Sequence, residues 1–481
     1  MSSICNNNQG RQYVIRSLVR IIGLILLGSL MVYGLNSQLS RTAYFILIII
    51  IFLFSKDTIF SMALLFILTL NPWGLFYSSP YDWVFQITPT VGIPYAISFA
   101  LVILLKYICF SSWRKQFISD YLSKYYRYFA FYLIFLILWG FVYGHSNKSI
   151  YDLVISISVF TLFIVLPRVF DDRKILLFNR IIFGFCLIHT FVSTVDVITS
   201  GGVSHILVFE RQTRIPILMG ELVRLFGGVW IALYSLIASL YYLIKRKEKF
   251  NWFYLWLIVF ASCLMILNTA TRGWMMGILF LIIAFFGYYI KKVVIKRIIL
   301  NTLVIISLGL VVLPKSVRTN INESIKRFST VESVVEGDMT AGGTSRRWDV
   351  RGPRVLTRFS ESPVFGFGFS KITSEYYDGH VGNHTLLLMG GIVGLSIVWL
   401  TCILIIAFLY RLEKQQSFYN GVFIFGLGLF SILIIHSTNM VMISYVKMPP
   451  HSAFVIAMLF NQVNAQLDRF KYGNRNTLGL S

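Results

Sequence analysis

WMMGILFLIIAFFGYYI, residues 274–290, has no charged side chain and no alternation of apolar with polar positions. A strand of a membrane barrel would alternate, whereas a helix crossing a bilayer needs about 20 mostly apolar residues and pairs every backbone N–H and C=O within itself. The stretch from Phe45 to Phe54 reads the same way. Around these stretches lies a chain of 481 residues that is 57% hydrophobic and 13% charged, with a mean hydropathy of +0.73. The sequence predicts an all-α polytopic integral membrane protein with about 12–14 transmembrane helices and one large external loop.

Apolar segments fall near residues 17–35, 42–55, 58–73, 89–109, 128–143, 149–167, 175–197, 225–244, 252–268, 273–290, 297–314, 384–410, 419–437 and 449–463. The second is short, and Pro89 and Pro94 interrupt the fourth. The first, from Leu18 to Leu35, follows a basic N-terminus without a small-residue cleavage site, which predicts an uncleaved first helix. Three parts follow: transmembrane helices over 1–314, an extracytoplasmic loop over 315–383, and C-terminal helices with a tail over 384–481.

Lysine and arginine collect in short cytoplasmic loops. Arg114, Lys115, Lys124 and Arg127 fall in one such loop, Arg168, Arg173 and Lys174 in the next, and Lys291, Lys292, Lys296 and Arg297 in another. Alternation then places both termini in the cytoplasm and the loops at 199–222, 269–272, 315–383 and 438–448 outside. The net charge of +23 is thus mostly a matter of orientation and of attraction to anionic headgroups, and implies no nucleic-acid partner. Outer arginines run against the rule: Arg211, Arg214 and Arg224, Arg272 in TATRGW, and the series Arg346, Arg347, Arg351, Arg354 and Arg358.

Positions 347, 351, 354 and 358 share one helical face, with Trp348, Val355 and Phe359 beside them. The expected amphipathic helix starts near Gly352 or kinks there, because Pro353 lacks the N–H. Such a face suits headgroups, or it grips phosphate oxygens through guanidinium forks. The cysteines show no CxxC spacing, and the chain has no HExxH, GxxxxGK[ST] or GxSxG phrase. We therefore expect no metal, no nucleotide and no serine-hydrolase site, and no cofactor. His189 inside an apolar span, and His436 and His451 near the ends of late spans, read as interhelical hydrogen bonders. His380 and His384 lie beside the arginine series, where an imidazole is suited to take a proton from a hydroxyl near neutral pH.

The order of these phrases carries a resemblance. The arginine segment with Trp348, ESPVFGFGF at 361–369, a histidine, and GGIVG at 390–394 together resemble the O-antigen polymerase and O-antigen ligase superfamily, as do TATRGW and Arg214-Ile-Pro-Ile-Leu218 upstream. The likeness covers about residues 205–400. In the family pattern the histidine precedes the first Gly of GxxG by eleven residues, as His380 precedes Gly391, but a polar residue follows it, as Thr385 follows His384. His384 is preferred, with His380 as its rival.

The resemblance implies a glycosyltransferase of the bacterial inner membrane that polymerises polyprenyl-diphosphate-linked oligosaccharides into O-antigen, capsule or exopolysaccharide. A ligase acting on lipid A core and a flippase for lipid-linked glycans are the alternatives. Arg214, Arg224, Arg272, Arg346, Arg347 and Arg351 would neutralise the diphosphate leaving group, and His384 or His380 would deprotonate the acceptor hydroxyl. Gly366 and Gly368 would let backbone approach the ligand. The implied partners are the lipid-linked oligosaccharide, the bilayer, a chain-length regulator and a flippase.

Overall fold

In a computed structural model the described residues are 7–35, 37–70, 84–88, 91–199, 227–245, 250–269, 271–289, 314–319, 321–322, 324–325, 347–415, 419–438 and 450–477. They are overwhelmingly helical, as the composition requires. In chain order the principal helices are α1 (Asn7–Ser29), α2 (Gln38–Phe54), α3 (Thr58–Thr69), α4 (Tyr95–Cys109), α5 (Ser123–Val142), α6 (Asn147–Phe160), α7 (Asp172–Ile198), α8 (Val229–Lys245), α9 (Trp252–Leu267) and α10 (Arg272–Tyr289). They are followed by α11 (Gly352–Phe359), α12 (Lys371–Tyr376), α13 (Gly382–Gln415), α14 (Phe423–Thr438) and α15 (Pro450–Thr477). Among the described residues five helices are long and apolar enough to cross a membrane, namely Gln9–Val32, α5, α7, α10 and α13, and seven more are apolar but shorter. The protein is a polytopic integral membrane protein. The expected segment 297–314 lies outside the described residues except for Pro314.

Helix starts follow local chemistry. Asp57 accepts from Phe60 N at 3.1 Å to open α3, Asp171 accepts from Arg173 N and Lys174 N at 3.0 and 2.9 Å to open α7, and Asn251 caps α9 through Phe253 N at 2.9 Å. Each such cap contributes about 1 kcal/mol by satisfying an N–H that the first turn leaves unpaired. The expected segment 89–109 becomes helical only at Tyr95. Val91–Pro94 pairs antiparallel with Val84–Thr88 instead, because proline is tolerated at an edge and then breaks the pairing.

Helix α15 extends the expected segment 449–463 by more than ten residues and is polar over much of its length. Several of its buried amide NH2 groups donate to neighbouring helices. Gln462 Nε2 donates to Tyr234 OH and Asn179 Oδ1 at 2.7 and 3.1 Å, and Asn464 Nδ2 to Pro167 O and Asp120 Oδ1 at 2.8 and 2.9 Å. Such bonds between helices in apolar surroundings are worth about 0.6 kcal/mol each on average.

The site depends on α10, α13 and α14. Helices α10 and α14 run antiparallel: Ser431 Oγ donates to Gly277 O at 2.7 Å, the Phe280 and Phe430 rings lie 4.9 Å apart, and Tyr288 meets Phe423 at 4.9 Å. Helix α13 meets α14 as well, with Tyr410 5.3 Å from Phe423 at one end and Gly382 against His436 at the other. The first turns of α10 and α13 and the last turn of α14 therefore meet at one end of the bundle.

Candidate functional site at the break in α13

Sequence pattern alone reads 384–410 as one span, but α13 is broken at Gly391, whose φ and ψ are 64° and −166°. In an unbroken helix Ile392 N and Val393 N would donate to Leu388 O and Met389 O. Here those carbonyls accept from Phe367 N and Gly368 N at 2.9 and 2.8 Å, while Ile392 N and Val393 N donate to Pro363 O and Val364 O at 2.9 and 3.1 Å. The PVFGFGF phrase thus pairs, with four hydrogen bonds, the four backbone groups left by the two helix bonds that the break removes. In a membrane protein each of those groups left unpaired would cost several kcal/mol, so the phrase is what allows the break.

Gly366 and Gly368 have φ of 63° and 59°. A Cβ on Gly366 would press on Met389 C and Gly391 N, and one on Gly368 on Leu136 O and Gly140 N. What these two glycines approach in the structure is protein backbone, that of α13 and of α5. Helix α5 completes the seam. Trp139 Nε1 donates to Gly366 O at 3.0 Å, Phe369 N to Leu136 O at 3.1 Å, and Tyr132 OH to Gly390 O at 2.7 Å.

The break reverses the chain direction. Asn383 and Trp399 are sixteen positions apart, about 24 Å along a straight helix. Trp399 Nε1 nevertheless donates to Asn383 Oδ1 at 3.3 Å. A short arm, Gly382–Gly390, therefore folds back beside the long arm that begins at Ile392.

His384 sits in the first turn of this short arm. It is half-buried, and its Nδ1 is buried with no hydrogen-bond partner among the described residues. His380 is different: it lies in the exposed turn before the arm, and its backbone N–H donates to Asp378 Oδ1 at 2.8 Å. The same carboxylate lies 3.6 Å from Arg351 NH1, and the Asp378 carbonyl accepts from Thr385 Oγ1 at 2.9 Å. Asp378 thus links Arg351 to the His380 backbone and, through Thr385, to the turn of the arm that holds His384.

The remaining expected residues are placed as follows. Arg272 is half-buried at the start of α10, about one and a half turns beyond the Gly277–Ser431 contact and so at the bundle end that holds Gly382 and His436. Arg347 opens a π turn, Arg347–Arg351, which leads into α11 with Pro353 in its first turn, where its missing N–H costs nothing. Arg354 and Arg358 bind the segment to itself: Arg354 donates to Tyr376 O at 3.4 Å, while Arg358 pairs with Glu361 and covers the Phe367 and Tyr376 rings. Arg214, Arg224 and Arg346 lie outside the described residues.

Sequence reasoning missed Asp378, Asn383, Trp399, Tyr132 and Trp139. Asp378 was open to discovery as the nearest acid to the arginine series; the other four carry no periodic or motif signal.

The PVFGFGF phrase and the histidine arm fall within a matched family model. Residues 257–390 match the model described as O-antigen ligase. The resemblance to the O-antigen polymerase and ligase superfamily is thus supported over this segment. Compared with the curated proteins, the chain gives no significant match. The O-antigen ligase segment runs from α9 through α10 to the last residue before the break, so it contains Arg272, Arg351, His380 and His384. The chain is thus a polytopic integral membrane protein one segment of which is similar to the O-antigen ligase family.

Proposed function

We propose that the protein is a repeat-unit polymerase, a glycosyltransferase that joins polyprenyl-diphosphate-linked oligosaccharides at the outer face of the bacterial inner membrane, with both termini in the cytoplasm. The observation that carries this reading is the buried Nδ1 of His384, without a hydrogen-bond partner among the described residues, on an arm that shares its bundle end with Arg272. An imidazole nitrogen without a partner among the described residues is suited to take the proton of the acceptor hydroxyl as the oxygen attacks the anomeric carbon. The bond from that carbon to the phosphate oxygen breaks, and polyprenyl diphosphate leaves. Arg272, with Arg214, Arg224, Arg346 and Arg347, stabilises the charge that develops on the diphosphate, since guanidinium groups stay protonated and bind phosphate oxygens in pairs. The 3.6 Å approach of Arg351 to Asp378, whose carbonyl accepts from Thr385 on the histidine arm, supports including Arg351.

A second reading, transfer of finished polymer to a lipid acceptor, is favoured by the description of the matched family as O-antigen ligase. One experiment separates the two. In a deletion strain carrying the wild-type chain, His384→Ala, His380→Ala or Arg272→Ala, the polymerase reading expects a full ladder of chain lengths for wild type and for His380→Ala, and single repeat units for the other two. Long polymer stranded on the lipid carrier would establish the ligase instead. A normal ladder from both His384→Ala and Arg272→Ala, at normal protein levels, would remove these residues from the site. Lipid-linked units trapped on the cytoplasmic side would point to a flippase.

A further inference from the structure

The short arm that carries His384 is a lever. Its vertex at Gly391 is fixed by the four backbone bonds to residues 363–368, which take Leu388 O, Met389 O, Ile392 N and Val393 N out of the helical ladder and so loosen what sets the angle of the arm. His384 lies seven residues from Gly391, about 10 Å along the arm, so a rotation of about 10° at the vertex moves it by about 2 Å. Catalytic groups must be held to about 0.5 Å, and a misplacement of about 1 Å can cost a hundredfold in rate. The far end of the arm therefore needs ties of its own.

Three are present. Gly382 packs on the ring and carbonyl of His436 in α14. Thr385 bonds to the backbone of Asp378 on the incoming loop, at 2.9 Å to the carbonyl and 3.2 Å to the N–H. The third, Trp399 Nε1 to Asn383 Oδ1, is the tie to the long arm, and it acts on the residue next to His384. We propose that Trp399 is a positioning residue: through Asn383 it latches the short arm against the long one and sets where the His384 ring stands for proton transfer. This rests on the transferase reading above. The latch touches no reacting atom, so losing it should slow the chemical step while leaving substrate binding intact.

Two measurements on the full-length protein in lipid nanodiscs test this. The probe for activity is the lipid-linked glycan extracted from membranes of a strain lacking the protein. Trp399→Phe keeps the apolar ring system and removes the donor; it should lower kcat about tenfold or more with KM within about twofold, and with an unchanged unfolding midpoint. Asn383→Leu should do the same, and the double variant should be no slower than either single, since both remove one interaction. Wild-type kcat in Trp399→Phe, or losses that multiply in the double variant, would overturn the latch.

The second measurement concerns geometry alone. Cysteines at 383 and 399 should be joined by a bifunctional thiol reagent too short to bridge the roughly 24 Å of an unbroken helix, and the linked peptides should be recovered by mass spectrometry. Failure to link, when each single cysteine variant is fully labelled, would overturn the folded-back arm. If the link forms but the wild-type protein does not process the extracted glycan, the transferase reading fails and the positioning role with it, while the folded-back geometry stands.

Discussion

The Tyr132 hydroxyl donates to the Gly390 carbonyl at 2.7 Å, and the same ring occupies the space that Gly390 and Gly394 leave by having no side chain. One residue in the middle of α5 thus serves both sides of the break in α13. Tyr132→Phe keeps the ring and strands the carbonyl, which should cost about 1–3 kcal/mol. Tyr132→Ala adds a cavity and should cost about 3–5 kcal/mol. Thermal unfolding in detergent, followed by near-UV circular dichroism, should rank wild type above Phe and Phe above Ala. Equal midpoints for wild type and Tyr132→Phe would mean that Gly390 O does not depend on this donor.

The two glycines of GGIVG outside the doublet's first position should respond unequally. At Gly391 a Cβ would overlap the Val364 carbonyl and Phe365 N, both backbone, at a φ of 64°. At Gly394 the obstacle is the hydroxyl end of the Tyr132 side chain, and the backbone is ordinary helix. Backbone cannot yield as a side chain can, and a side chain at that φ and ψ costs about 1–3 kcal/mol before any clash. Gly391→Ala should abolish accumulation of folded protein in the membrane, while Gly394→Ala should reduce it modestly. Fluorescence-detected size-exclusion chromatography of both variants compares them, and a monodisperse Gly391→Ala protein at wild-type levels would contradict the seam.

Arg351 poses a question of role, because Asp378 stands 3.6 Å away and both side chains are partly exposed, at 34% and 14%. If the pair only fastens the loop, Arg351→Ala leaves a carboxylate unneutralised beside the site, and removing that carboxylate as well should restore function. If Arg351 also meets the diphosphate, the double variant stays inactive. The proposed function expects the second outcome: Asp378→Ala active, Arg351→Ala inactive and the double inactive, read as chain-length ladders in the deletion strain. Restoration by the double variant would take Arg351 out of the diphosphate site. The ion pair itself is worth at most about 1 kcal/mol at this exposure, so unfolding of the variants should not obscure the result.

How far the molecule was legible in its sequence depends on the range of the interactions involved. Helix α10, expected at 273–290 and found at Arg272–Tyr289, is decided by apolar residues within its own length, and so are most of its neighbours. The Pro89 and Pro94 interruption was equally local and equally visible, although its resolution into a hairpin was not. The break at Gly391 was invisible for the opposite reason. Leu386 to Leu395 is as apolar as any span, a GxxG pair ordinarily marks close helix packing, and the groups that stabilise the break come from residues 363–368 and from Tyr132, far away in sequence. The motif order located the histidine arm; only the fold shows that the arm turns back. Between the two histidines, spacing favoured one and the following residue the other, and burial now separates an exposed turn from a half-buried helix.

His189 supplies a test of the reading that histidines elsewhere in the spans are structural. Its Nε2 donates to Gly227 O at 2.8 Å, and Gly228, at a φ of 74°, lies so close that a Cβ there would overlap the imidazole. The ring therefore closes the entry to α8, and the glycine exists to admit it. Gly228→Ala should destabilise through both the clash and the left-handed backbone, and His189→Ala through a lost bond and a cavity. With the ring gone, however, the methyl at 228 has room. The double variant should be destabilised by less than the sum of the singles, leaving only the backbone strain of about 1 kcal/mol added to His189→Ala. Unfolding midpoints of the four proteins in detergent give this comparison. Strict additivity would place His189 away from Gly228, and with it would go the reason for assigning that ring a packing role.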